Sequence, residues 1–159
     1  MPRLLVMGVG NILLTDEGAG VRAVQELEKE EWPEGVEFLD GGTFTQDIFF
    51  VFKDYDGLVV LDCVKGGREP GTLYVLDESD LRKEDGGNLS VHDIDLLDSL
   101  KMAEMLGKRP KMRVVGIEPK TLTWNMELTP EVEARMPAFL EAARREIRRF
   151  LDDWSGQGS

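Results

Sequence analysis

Two adjacent acids, Asp16 and Glu17, sit in the run Gly8-Val9-Gly10-Asn11-Ile12-Leu13-Leu14-Thr15-Asp16-Glu17-Gly18-Ala19-Gly20, which follows the apolar stretch Leu4-Leu5-Val6-Met7. One acid at the mouth of a helix is accounted for by capping a free amide of the first turn, and Asp16 can do that. Glu17 is then left to project from the edge, where a carboxylate can bind a cation or take a proton. Two further acids close apolar runs: Asp40, in Asp40-Gly41-Gly42, and Asp62, after Gly57-Leu58-Val59-Val60-Leu61. The chain's single histidine, His92, lies in Ser90-Val91-His92-Asp93, which has the spacing of a capping box opening a helix. Free amides and the positive end of the dipole disfavour imidazolium there, so His92 tends to be neutral and to offer a lone pair. A structural role for a lone histidine is the plain alternative. Two carboxylates and an imidazole form a hard-to-borderline donor set suited to Ni, Zn or Mn, and three side chains leave positions open for a substrate.

Other chemistries fail on the residues. With one histidine there is no HExxH zinc helix, and neither a GxSxG nucleophile elbow nor a GxxxxGK[ST] phosphate loop occurs. Cys63 is the only cysteine, so no internal disulfide or CxxC site can form; it reads as a small buried hydrophobe at a strand end, next to Asp62. Dinucleotide binding is the closest rival, because Gly8-Val9-Gly10 after a first strand and Asp40 after a second imitate the Rossmann fingerprint. Its third glycine is replaced by Leu13, and Glu17 would push negative charge toward a pyrophosphate. Nineteen basic residues against 31 acids give a net charge of −12, which argues against nucleic acid. No apolar run approaches the roughly 18 residues that span a bilayer and no signal peptide is apparent, so a cytoplasmic protein away from membranes is expected.

The elements that must position these residues read as an α/β domain. Leu4–Met7, Val36–Leu39 and Gly57–Asp62 read as strands, the first and third built on unbroken apolar runs, separated by helical segments, one following Asp16-Glu17 and one opening at Thr45-Gln46-Asp47. Right-handed crossovers would make them parallel and align their carboxyl ends, with Glu17, Asp40 and Asp62 on one edge. In flavodoxin-like order the ligand crevice falls between the first and third strands. Only Cys63 to Gly71 separates the third strand from Thr72–Leu76, too little for a crossover helix, so that strand should run antiparallel. A polar loop from Asp77 to Leu89, the helix of His92, a fifth strand Met112–Ile117 ending at Glu118, an irregular stretch Lys120–Glu127 and a last helix after Thr129-Pro130 complete the chain. The expectation is a three-layer sandwich: a twisted five-stranded, mostly parallel sheet with one antiparallel strand and helices on both faces. It forms a single domain over residues 1–154, followed by a flexible tail at 155–159.

The opening Gly8-Val9-Gly10-Asn11 through Asp16-Glu17, Asp40-Gly41-Gly42, Asp62, His92, and Gly116-Ile117-Glu118-Pro119 together resemble the maturation endopeptidases of [NiFe] hydrogenases, over nearly the whole chain. The resemblance implies removal of a C-terminal extension from a hydrogenase large-subunit precursor once nickel has been inserted. It implies that Glu17, Asp62 and His92 are the catalytic, metal-contacting trio, with nickel carried by the substrate precursor and no organic cofactor. Asn11, Asp16, Asp40, Gly41 and Gly42 would support the trio or grip substrate, and a monomer is expected. A non-proteolytic metal-sensing accessory of the same pathway, or a dinucleotide-binding module, is the alternative.

Overall fold

The computed structural model describes residues 2–42, 48–83 and 91–157, with side chains left aside at 82–83, 91–95 and 157. Five strands form one sheet: β1 (Leu4–Val9), β2 (Val36–Gly42), β3 (Gly57–Cys63), β4 (Leu73–Asp77) and β5 (Lys111–Ile117), in the spatial order β2-β1-β3-β5-β4. β2, β1, β3 and β5 are mutually parallel, and β4 pairs antiparallel with β5 at one edge. The short connection after β3 therefore does what its length requires. The chain moves from β1 outward to β2 and then back across to β3, which makes the carboxyl ends of β1 and β3 the place where strand order reverses.

Side chains on alternate positions feed two separate cores. Leu4, Val6, Val59, Leu61, Val115 and Ile117 pack against α1 (Ala19–Glu28) and α5 (Pro130–Gln157). Leu5, Met7, Leu58, Val60, Met112 and Val114 point the other way, against α2 (Phe49–Phe52) and α4 (Val91–Met105). Period-two alternation with both sets apolar is the signature of a strand buried on both faces, and it explains why the runs are unbroken.

Two stretches differ from the sequence reading. The segment from Asp77 carries a short helix, α3 (Glu78–Lys83), where a polar loop was expected. Its start is fixed by Asp77 Oδ1, which accepts from the Asp80 amide at 3.0 Å. With Leu81 its only apolar residue, the segment shows no apolar stripe to read. Asp40-Gly41-Gly42 also lies within β2 rather than just beyond it, whereas Asp62 lies in β3 as read. The expected helix opening at Thr45–Asp47, the capping serine Ser90 and the second half of the polar loop lie outside the described residues. α5 continues to Gln157, into the expected tail.

Candidate active site

The edge formed by β1 and β3 is built around close backbone approach. Gly8 stands opposite Asp40 on one side and Leu61 on the other. The start of α1 crosses directly over it: a Cβ on Gly20 would collide with the Leu61 carbonyl and lie 2.8 Å from the Val9 oxygen. A Cβ on Gly8 would lie 2.9 Å from Val21 Cα. Two glycines thus let the helix that follows Glu17 sit on the ends of both strands.

The turn that carries Glu17 is held from within. Gly10 takes φ +130°, open only to glycine, and its amide donates to the Gly42 carbonyl at 2.8 Å. Asn11 Oδ1 accepts from the Leu13 amide at 2.9 Å, and Thr15 is held at φ 44°. A single 3-10 turn, Thr15–Gly18, then delivers Glu17, whose amide donates to the Leu14 carbonyl at 3.0 Å. The Glu17 side chain packs against Gly10 and is partly exposed.

Asp16 is fully buried and does not cap the helix. Leu14 and Gly18 hold the two N-cap positions, neither with a side-chain cap bond. Its carboxylate accepts instead from the amides of Lys120 at 2.8 Å, Thr121 at 3.1 Å and Thr129 at 2.8 Å, and from the Thr129 hydroxyl at 2.8 Å. The capping expectation failed because these donors come from the far end of the chain and satisfy the carboxylate first. Thr15 joins the same seam: its hydroxyl donates to the Thr121 carbonyl, and its amide donates to the Asn125 carbonyl at 2.8 Å.

On β3, Asp62 is fully buried opposite Gly116, and its Oδ1 accepts from the Cys63 amide at 2.7 Å. The buried Cys63 thiol is driven far above its ordinary value by burial, then by the carboxylates of Asp62, Glu17 and Asp16. These three acids make the surroundings of the thiol electronegative. Asp40 is exposed at the edge, and its Oδ1 accepts from the Gly42 amide at 3.0 Å. The β1–β2 register slips between Gly8 and Val9, leaving Gly41 without a partner across the ladder; a Cβ there would come within 3.0 Å of the Met7 thioether. The backbone of His92 lies in the first turn of α4, while its side chain falls outside the described set. Among the described residues, no three histidine, cysteine or carboxylate side chains converge closely enough to hold a metal unaided.

Sequence reasoning placed Glu118 at the end of the fifth strand but gave it no role. This buried carboxylate, at the end of β5, accepts from the Gly66 amide at 2.8 Å, the Arg68 amide at 3.2 Å and the Tyr74 hydroxyl. It ties down the connection that leaves Asp62. Burial and the bond to Glu118 push the Tyr74 phenol up to about 12, so it stays a donor. The signal available was the acid-proline pair Glu118-Pro119 closing a strand, the same pattern of strand-terminal acid as at Asp40 and Asp62.

Known proteins share this architecture. The hydrogenase maturation protease family model matches residues 21–146. The hydrogenase 2 maturation protease of Escherichia coli K12 is 37% identical over 149 residues, covering 92% of this chain and 91% of that protein. The hydrogenase expression/formation protein HupD of Rhizobium leguminosarum bv. viciae is 38% identical over 155 residues, covering 94% of this chain and 76% of its own length. Among solved structures, the hydrogenase maturating endopeptidase HybD from E. coli superposes with a TM-score of 0.82 at 38% identity, over 92% of this chain and 93% of the other. The [NiFe] hydrogenase maturation protease HybD from Thermococcus kodakarensis superposes with a TM-score of 0.75 at 26% identity, over 90% and 97%.

Proposed function

The chain belongs to the hydrogenase maturation protease family, and from that premise we propose how its residues carry out the cut. It is an endopeptidase, a hydrolase of peptide bonds that processes the large-subunit precursor of a [NiFe] hydrogenase and so completes its maturation. In our reading the bond cut releases a C-terminal extension, and the cut waits until nickel is in the precursor. The nickel arrives with the substrate, and Glu17, Asp62 and His92 are the side chains that meet it. The enzyme works as a monomer in the cytoplasm; no helix among the described residues is long and apolar enough to cross a membrane.

The observation that carries this reading is the placement of Glu17, on the turn after β1, and Asp62, near the end of the neighbouring parallel strand β3, on one edge of the sheet. The two residues differ in access. Glu17 is partly exposed, on a turn fixed by Gly10 and Asn11, and can meet the precursor as the chain stands. Asp62 is covered, so its contact with nickel follows a local opening of its surroundings. We therefore assign Glu17 as the first carboxylate to engage and as the base that takes a proton from the attacking water. The precursor's nickel supplies the positive charge that polarises the peptide carbonyl. Asp16, Asn11, Asp40, Gly41 and Gly42 act by shaping and holding the edge. Glu17→Gln, Asp62→Asn and His92→Ala should each fold and each lose cleavage of nickel-loaded precursor; cleavage at the normal rate by any one of them would remove that residue from the trio.

A further inference from the structure

Four apolar side chains stand in solvent on and next to the turn that leads to Glu17: Trp124 (78% exposed), Met126 (58%), Leu13 (44%) and Ile12 (37%). They come from two loops joined as one ledge. Leu14 bridges Asn125, the Asn125 amide donates to the Leu13 carbonyl at 2.9 Å, and the Asn125 carbonyl accepts from Thr15 at 2.8 Å. Arg22 on α1 donates to the Met126 carbonyl, and Asn125 Oδ1 accepts from the Glu127 amide at 2.9 Å. The backbone on either side of Trp124 is thus fixed while its ring faces water. A tryptophan held this way offers a large contact area with little further ordering cost, the usual make-up of a binding hot spot.

The ledge is continuous with the site. Ile12 lies against Gly18, the residue after Glu17, where a Cβ would come 2.9 Å from Ile12 Cα. Buried Asp16, next to Glu17 on the other side, holds the amides of Lys120, Thr121 and Thr129, the two stems of the loop that carries Trp124. The ledge borders the turn that carries Glu17, where a polypeptide would be brought for cutting. A second copy of the chain seated here would instead crowd Glu17, which argues against self-association as its purpose. We propose that Trp124, with Leu13, Met126 and Ile12, seats an apolar stretch of the precursor polypeptide next to the bond that is cut, and so sets which precursor is accepted. This inference rests on the assignment of Glu17 to the active site.

The test compares wild type, Trp124→Ala and Trp124→Phe on nickel-loaded large-subunit precursor. KM for Trp124→Ala should rise about tenfold or more with kcat little changed, and Trp124→Phe should recover part of that loss. A blue shift of tryptophan emission on adding precursor should appear in a Glu17→Gln background and vanish when Trp124→Ala is added to it. Unchanged KM together with an unchanged emission shift in the Trp124→Ala protein would overturn the ledge. So would an emission shift that follows the enzyme's own concentration without precursor, since a second copy would then be the occupant. If wild type fails to cut but the Trp124-dependent shift persists, the ledge stands as a precursor-binding surface and the proposed cleavage falls.

Discussion

The Asp16 carboxylate and the Thr129 amide, 113 positions apart in sequence, lie 2.8 Å from one another, with the Thr129 hydroxyl at 2.8 Å from the other oxygen of the same carboxylate. This contact joins the turn that carries Glu17 to the start of α5. Because Asp16 is fully buried, its loss leaves the amides of Lys120, Thr121 and Thr129 without their acceptor. Asp16→Ala should cost about 2–4 kcal/mol, a fall in melting temperature of roughly 5–15 °C for a domain of this size. Thermal unfolding checks it, and an unchanged melting temperature would mean that these bonds add nothing to stability.

Gly20→Ala forces a methyl group toward the Leu61 carbonyl and the Val9 oxygen, neither of which can rotate away. The helix start has to lift from the strand ends, at a cost of about 1–3 kcal/mol. Because Glu17 and Asp62 lie on the two elements being separated, cleavage should fall further than stability alone explains. Measuring activity at a temperature where the variant is fully folded distinguishes the two effects; full activity there would mean that this joint does not set the site's geometry.

How much of this was legible in the sequence follows from where each interaction closes. The strands were readable because both faces are buried, which leaves runs such as Leu58-Val59-Val60-Leu61 without a polar break. The antiparallel β4 followed from the shortness of the connection after Asp62. Asp62 was singled out as an acid closing an apolar run, and Glu17 as the second of two acids at the mouth of a helix. The partners of Asp16 and Glu118 were not legible, since they lie on the opposite side of the sequence or on a loop with no periodicity. α3 escaped for want of an apolar stripe, being fixed by an aspartate cap at Asp77.

Cys63 should be inert in the folded enzyme. Burial and the carboxylates of Asp62, Glu17 and Asp16 all disfavour its thiolate, the reactive form. Incubation with iodoacetamide at neutral pH, followed by mass measurement, should show no adduct in native conditions and one adduct after denaturation. Rapid native labelling would contradict the electronegative setting described for the site.

Acid should weaken the fold through surface pairs remote from the site. The bond from Arg144 holds Glu30 below the usual carboxylate range against the opposing effect of burial. For Asp56 burial pushes upward, but the bonds from Lys108 and the Arg3 amide outweigh it. A carboxyl depressed in the folded state adds stability above its unfolded value and loses it as pH falls through the folded one, so the loss should develop below about pH 4. Urea midpoints should drop in that range, and Glu30→Gln should flatten the drop slightly, an effect that added salt reduces. An identical acid profile for the Glu30→Gln variant would show that the Arg144 pair contributes nothing.

The central claim is that peptide cleavage depends on nickel carried by the precursor and met by Glu17, Asp62 and His92. Its most direct test is the mass of a [NiFe] hydrogenase large-subunit precursor after incubation with the enzyme, in parallel nickel-loaded and nickel-free samples. Loss of a C-terminal peptide from the loaded sample alone is expected. Equal cleavage of both samples, or of neither with folded enzyme and correctly loaded precursor, would contradict it.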